Sequence, residues 1–398
     1  MPTTQRSASG RLALTLTLAL ATSILLACQR HPPAPGEPPP TVSVASTESP
    51  APPDTSPPAS SPPGSSSPAG EVVVVAGGDV ELARAMGQRL LREPGFDPLA
   101  PLASWLQAAD VRFVNLEGPI SDQRGETRSP NHSLVFTAPP AGADALARAG
   151  IDLVSTANNH AWDYGRSALL ETLTHLDRVG VRHAGTGSDL AQARAPVVLE
   201  RGGLRLAFLA ATAVWNQREP VQSQARQHVA AADADWLVPA VRALKQQGVD
   251  VVLVSVHGGE EYQPVPLARA RDLHRALIEA GADAVLGHHP HVLQGLGWHS
   301  GRPMFFSLGN LRMEMHRDHP ATGLAVLARL RLTRGAAPRV SVCPLRQVGL
   351  GPRPLHREPD AAAQWARFAS HWRTLTASTG GGRLGPPGDD GCAEVAPP

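Results

Sequence analysis

The chain has 398 residues and a formal charge of +1, with 36 Lys and Arg against 35 Asp and Glu. It contains no long basic run, so the composition excludes an electrostatic nucleic-acid platform from the expected partners. A hydrophobic content of 42% supports a full core, but the residues that would build it begin only after about position 70.

Arg6 and Arg11 lead into an uncharged run from Leu12 to Ala27 that is apolar apart from Thr and Ser. A basic start and an apolar stretch too short for a membrane span are the layout of a secretory signal peptide, here residues 1–28. The run closes on Leu25-Leu26-Ala27-Cys28, which resembles the bacterial lipobox and makes Cys28 the expected lipidation site. The alternative is a plain signal peptide or an uncleaved anchor in which Cys28 is incidental. Each buried methylene of an attached lipid contributes about 0.8 kcal/mol of membrane partitioning. The expected location is therefore extracytoplasmic, lipid-anchored to the cell envelope. Gln29, in not being Asp, points to the outer membrane. Residues 29–70 are almost wholly Pro, Ser, Ala, Thr, Gly and Glu. They cannot bury enough apolar surface to offset ordering entropy and read as a disordered tether.

Folding is expected to start at Glu71. Val72-Val73-Val74-Val75-Ala76 is β-branched and apolar on both parities, the pattern of a buried central strand. Further strands are predicted at 111–115, 151–155, 204–209, 249–255, 284–286 and 304–307. Helices are predicted at 169–179, 235–246 and 267–280. This alternation predicts an α/β fold with helices layered on a sheet. After Asn310 the pattern changes to two alternating strands, 324–332 and 340–348, and a helix at 360–375. Residues 71–319 are read as the core, 320–378 as completing the same domain, and the Gly/Pro-rich segment 379–398 as a disordered tail. Cys343 and Cys392 can pair in an oxidising compartment, but their spacing does not decide it.

The chemistry-bearing residues follow directly after predicted strands, at the edge where open α/β sheets bind ligands. Asp79 follows the first strand and Asn115-Leu116-Glu117-Gly118 the second. Asn158-Asn159-His160, His257-Gly258-Gly259-Glu260-Glu261 and Gly287-His288-His289-Pro290-His291 follow three more. A lone strand-end Asp is more often a turn former or helix cap, and a lone His is more often a satisfied buried side chain. Repetition at equivalent places carries the argument. Carboxylates and imidazoles converging on one rim suit a pair of divalent ions, expected to be Mn, Fe or Zn.

The phrases Gly78-Asp79-Val80, Asn115-Leu116-Glu117-Gly118-Pro119, Asn158 to Gly165, His257 to Tyr262, Gly287 to Gly295 and Ser307-Leu308-Gly309-Asn310 occur in the order of the poly-γ-glutamate capsule-synthesis (CapA-like) family, which this chain resembles over about residues 71–315. That resemblance implies a four-layer α-β-β-α sandwich of metallophosphatase type with a two-metal centre. It implies Asp79, Glu117, Asn159, His257, His289 and His291 as metal ligands and His160 as the proton donor. Glu81, Asn115 and His288 are further candidates for ligation or its support. Metallophosphatases carry Asp-x-His at the first strand, whereas this chain has Asp79-Val80-Glu81. Either Glu81 replaces the imidazole or the first metal lacks a ligand. Asp163 and Tyr164 are expected to orient His160 or bind substrate, a helix-start role fitting equally, and Arg166 to meet an anionic substrate. Glu260 and Glu261 are expected to lie outside the ligand set. Ser307 to Asn310 is either a turn or part of the site lining. The implied function is biosynthesis or export of poly-γ-glutamate or another capsular polymer, with capsule-synthesis or export subunits as further partners. It is open between a metal-dependent hydrolase of phosphoester or γ-amide bonds, a non-catalytic polymer-binding accessory protein, and a phosphoesterase unrelated to capsule.

Overall fold

The valine run lies at the centre of a large sheet. The computed structural model describes residues 70–314 and 318–398. The predicted leader, the Cys28 lipidation site and the tether up to residue 69 lie outside the described residues. Strands β1 (Glu71–Val80), β2 (Val111–Leu116), β3 (Leu153–Ser155) and β4 (Arg182–Ala184) run parallel and open the first sheet. Strands β5 (Val197–Arg201), β6 (Leu204–Thr212), β7 (Val251–His257), β8 (Ala284–His288), β9 (Leu293–His299) and β10 (Arg302–Leu308) build a second sheet in the order β5-β6-β7-β8-β10-β9. The chain then returns to the first sheet through β11 (Asn310–Arg312), β12 (Leu324–Thr333), β13 (Arg339–Val348), β14 (Gly351–Pro354), β15 (Arg383–Pro387) and β16 (Ala393–Ala396). The first sheet is ordered β15-β16-β13-β12-β1-β2-β3-β4, with β11 against β1 and β14 against β13.

The helices are α1 (Arg84–Arg92), α2 (Ala103–Gln107), α3 (Ala141–Arg148), α4 (Gly165–Arg178), α5 (Leu190–Arg194), α6 (Val221–Ala225), α7 (Ala234–Gln246), α8 (Ala268–Ala280) and α9 (Ala361–Ala377). Among the described residues none is long and apolar enough to cross a membrane. Three cores define four layers. Val73, Val75 and Val114 turn outward onto Met86, Leu90, Trp105 and Leu146 of α1–α3. Val72, Val74 and Phe113 turn inward and meet Leu206, Phe208, Leu253 and Phe305 of the second sheet. The outer face of that sheet packs Val252, Val254 and Val285 against Leu237 and Val241 of α7 and Leu277 of α8. Both parities of β1 are thus buried, as expected for a strand covered on two faces. The result is the α-β-β-α sandwich, and α9 closes one side of the inter-sheet core with Phe368, Trp372 and Leu375.

The tail departs from expectation. Residues 379–398 were expected to be disordered, yet β16 pairs with β13 through Val340↔Val395 and Val342↔Ala393. Cys392 is disulfide-bonded to Cys343 of β13. Alternate tail residues Ala393 and Val395 are buried while Glu394 and Ala396 face out, a half-buried strand pattern of only four residues. The crosslink removes chain entropy that the Gly/Pro composition would otherwise retain.

Candidate metal centre

Carboxyl ends of strands from both sheets converge on one cluster. At the end of β1 the ladder to β2 is interrupted between Ala76 and Asp79. Gly78 is needed there, because a Cβ would collide with the carbonyl of Gly309, whose oxygen accepts from Asp79 N at 3.1 Å. The turn delivers Asp79, 0% exposed, into the site. Its Oδ1 accepts from Asn115 Nδ2 at 2.8 Å and its Oδ2 from His289 N at 3.2 Å. His288 Nδ1 lies 3.4 Å and His291 Nδ1 3.6 Å away. Burial alone would raise this carboxyl, but the His288 and His291 imidazoles outweigh it and hold the group well below the usual carboxylate range.

Glu117, just past the end of β2, is the centre of the cluster. It is 1% exposed, and neither carboxylate oxygen has a hydrogen-bond partner. Burial pushes its acid group well above the usual range. His291 Nε2 is 3.7 Å and His160 Nε2 4.0 Å from its Oε1. Burial depresses the His291 imidazole, yet Glu117 and Asp79 drive it up to about 10. His289 moves the other way, down to about 4, from burial and the His291 charge. Burial likewise holds His257 well below its ordinary value.

The remaining predicted ligands join this group through a chain of bonds. Asn115 Nδ2 lies 3.2 Å from His257 Nδ1, so that nitrogen accepts and Nε2–H donates to Asn159 Oδ1 at 2.7 Å. His291 Nδ1 donates to Asn310 Oδ1 at 3.0 Å, which turns Nε2 toward Glu117. His289 and His291 have φ of 98° and 60°, a left-handed backbone that non-glycine residues adopt at a cost and that clusters at functional sites. Three overlapping donor sets result, each with atoms within 4.8 Å of one another: Asp79–Glu117–His291, Glu117–His257–His289 and Glu261–His289–His291.

His160 lies beside this cluster. Its Nδ1 donates to Asp163 Oδ2 at 2.8 Å, and Phe136 N donates to the same oxygen at 3.1 Å. The ring stacks on Phe136 with centroids 4.2 Å apart, and Nε2 faces Glu117. Asn158 fixes the loop by donating to Leu116 O at 2.7 Å and accepting from His160 N at 3.1 Å. Asn158 is therefore a brace, while Asn159 turns its Oδ1 to His257 Nε2.

Some predicted residues are placed elsewhere. Glu81 is 0% exposed but turns to Arg312, whose Nη1 lies 3.2 Å from Glu81 Oε2, and among the described residues it joins none of the donor sets. Arg166 is exposed and donates to His228 Nε2 at 3.2 Å. The Tyr164 hydroxyl is taken by Glu126. His288 is fully buried behind Asp79 and supports rather than joins the donor sets. Glu261, expected to lie outside the ligand set, instead forms a candidate donor set with His289 and His291. Arg312 and Asn216, which accepts from Asn159 Nδ2 at 2.9 Å, carried no strand-end signal.

The residues fit a divalent cation. Two buried carboxylate oxygens on Glu117, together with His289 Nδ1, are left without partners, and such groups are rare unless an ion or water completes them. Imidazole, carboxylate and amide oxygen are donors that borderline and hard divalent ions accept.

The model of the family described as "Bacterial capsule synthesis protein PGA_cap" matches residues 73–314, more than half of the chain. The chain is 26% identical over 283 residues to the PGA biosynthesis protein CapA of Bacillus subtilis, covering 71% of this chain and 73% of that protein. It is 25% identical over 320 residues to the capsule biosynthesis protein CapA of Bacillus anthracis, covering 79% and 75%. Among solved structures, the calcineurin-like phosphoesterase YfkN of Bacillus subtilis aligns with a TM-score of 0.43 and 13% identity, over 77% of this chain and 99% of that one. The chain belongs to the bacterial capsule synthesis PGA_cap family.

Proposed function

We propose that this chain is a metal-dependent hydrolase acting on an anionic capsular polymer of the poly-γ-glutamate type, anchored to the outside of the cell envelope through Cys28. The observation that carries the reading is Glu117: a buried carboxylate with unpartnered oxygens, shared between a donor set with Asp79 and His291 and another with His257 and His289. A shared carboxylate of this kind suits two adjacent cations. The names of the Bacillus relatives support the polymer. The Cys343–Cys392 disulfide supports an oxidising, extracytoplasmic compartment.

Divalent cations held by Asp79, Glu117, Asn159, His257, His289 and His291 would supply Lewis-acid polarisation of a phosphoryl or carbonyl oxygen. Asn310 fixes the His291 tautomer and ring angle, as outer partners of ligating histidines do. Asp163 does the same for His160 by accepting from Nδ1, leaving Nε2 to hand a proton to the departing oxygen or nitrogen. Binding to capsule-synthesis or export subunits accompanies this role in the proposal.

The test uses the full chain in detergent, with metal content and turnover measured on phosphodiesters and on γ-linked glutamate oligomers. Bound Mn, Fe or Zn with turnover is the expected result. His160→Ala should then lose about 10²–10⁴-fold on a poor leaving group and far less on an activated one, since a general acid acts on the departing group. Metal content should hold. Wild type with neither metal nor turnover would overturn the hydrolase and leave an accessory protein.

A further inference from the structure

Arg84 is unlike the other cations near the cluster. Arg312 is fully buried and spent on Glu81. Arg84 is half-buried, and among the described residues no carboxylate pairs with it. Its guanidinium carbon sits 4.1 Å from the centroid of Phe136, the ring on which His160 stacks at 4.2 Å. A cation on an aromatic face keeps its N–H edges available while its flat face is held.

The backbone beneath it is forced. Arg84 has φ of 48° without being glycine. Thr127 secures that conformation from both sides, its carbonyl accepting from Arg84 N at 2.9 Å and its hydroxyl donating to Arg84 O at 3.0 Å. Left-handed backbone at a non-glycine residue persists where neighbours over-determine it, and such strain gathers at ligand clamps. Phe136 thus carries both the Arg84 guanidinium and the His160 ring, and His160 Nε2 lies 4.0 Å from Glu117 Oε1.

We infer that Arg84 is the anion receptor of this site, its guanidinium taking a carboxylate or phosphate oxyanion of the substrate beside Glu117 and His160. The inference rests on the proposal that the site acts on an anionic substrate, and it adds the group that positions that anion. A planar fork presents two parallel N–H donors to an oxyanion, which a lysine cannot do.

Calorimetric titration of the full chain in detergent, with a γ-linked glutamate oligomer and with inorganic phosphate, tests it. Arg84→Gln is expected to weaken binding by about 10- to 100-fold, the range for losing a charge-assisted bond, with Arg84→Lys between it and wild type. Metal content should stay at the wild-type level in both, which separates anion binding from damage to the donor cluster. Arg84-dependent binding of phosphate alone keeps the receptor and removes the polymer reading. Oligomer binding of equal strength in wild type and Arg84→Gln keeps the polymer reading and overturns the receptor. Wild type that binds neither probe overturns it too. If Arg84→Gln does not fold, wild-type affinity in Arg84→Lys or an unaltered affinity in Phe136→Leu counts against it.

Discussion

The two halves of the donor cluster are built from different materials. On the His257 side, Glu117, His257 and His289 offer donor atoms within 4.8 Å of one another, and Asn159 Oδ1 is 2.7 Å from His257 Nε2. That half offers three donors, two of them imidazoles. On the His291 side are Asp79, Glu117 and His291, three donors of which two are carboxylates. Glu81, two residues after Asp79, is drawn away by Arg312. The difference teaches that one half is richer in nitrogen and the other in oxygen, while Glu261, His289 and His291 form a third set that shares one imidazole with each. Imidazole suits Zn and Fe, and carboxylate suits Mn and Mg. Two ions bound here are expected to differ in affinity and in preferred metal, the tighter one at His257.

The largest effect should come from the residue both halves share. Glu117→Ala is expected to retain neither ion, with affinity down by more than about 100-fold, since even outer-shell partners of a ligand contribute about 10–100-fold. Elemental analysis after dialysis at limiting metal checks it. The metal-free variant should unfold no more easily than metal-free wild type, because its loss removes a buried carboxylate with unpartnered oxygens. One ion retained in Glu117→Ala would mean the halves do not share it.

The halves can next be separated. His257→Ala should remove the tighter ion, and His291→Ala the weaker one, each leaving about one equivalent of metal. Manganese spin resonance distinguishes paired from isolated ions. Identical losses in the two variants would break the asymmetry.

Third is the diversion of Glu81. Arg312 and Glu81 are both fully buried, and removing one partner of such a pair typically costs about 3–5 kcal/mol. Arg312→Met should lose that much by denaturant unfolding without metal. With manganese added, the loss should shrink, because Glu81 is released toward the half that holds Asp79. A loss unchanged by metal would mean that Glu81 is too far from that half to complete it.

How much of this could be read from the sequence follows from where the signals lie. Asp79, Glu117, Asn159, His257, His289 and His291 each stand within a few residues after a short apolar run, so strand periodicity puts them near strand ends on one rim, while their selection as ligands is what the family resemblance implies. Helices layered on a sheet were legible from the strand–helix alternation, and a buried central strand from the apolar residues on both parities of 72–76, whereas the four-layer sandwich came only with the family resemblance. Arg312 was not, because its partner is 231 residues away and nothing local in Leu311-Arg312-Met313 demands a buried cation. Glu261 looked like a solvated loop residue, and only the fold brings it to His289 and His291. The order of the tail is not legible in its Gly- and Pro-rich composition, because it rests on one cysteine and two buried aliphatic positions.

The smallest effect separates histidines of the cluster from one that merely sits in the core. His274 of α8 is 2% exposed, stacked on Phe306 with centroids 5.0 Å apart, and its Nδ1 has no partner. Burial holds its imidazole down to about 3. In the unfolded chain the same group takes up a proton near its ordinary value of about 6.5. Below that pH the unfolded state binds a proton that the folded state refuses, so stability is full above about pH 6.5 and falls as pH drops toward 3. The loss is about 1.4 kcal/mol per pH unit well below 6.5. Metal release from the cluster would also destabilise the protein in acid, so the comparison must be made with chelator present. His257 and His289 are depressed as well and contribute equally to wild type and variant. Denaturant unfolding of metal-free wild type and His274→Leu at pH 7 and pH 5 therefore isolates His274. The variant should lose less stability than wild type between the two values, by about 2 kcal/mol. Equal losses would mean that His274 is protonated in the fold and that the acid sensitivity of the protein lies wholly in the donor cluster.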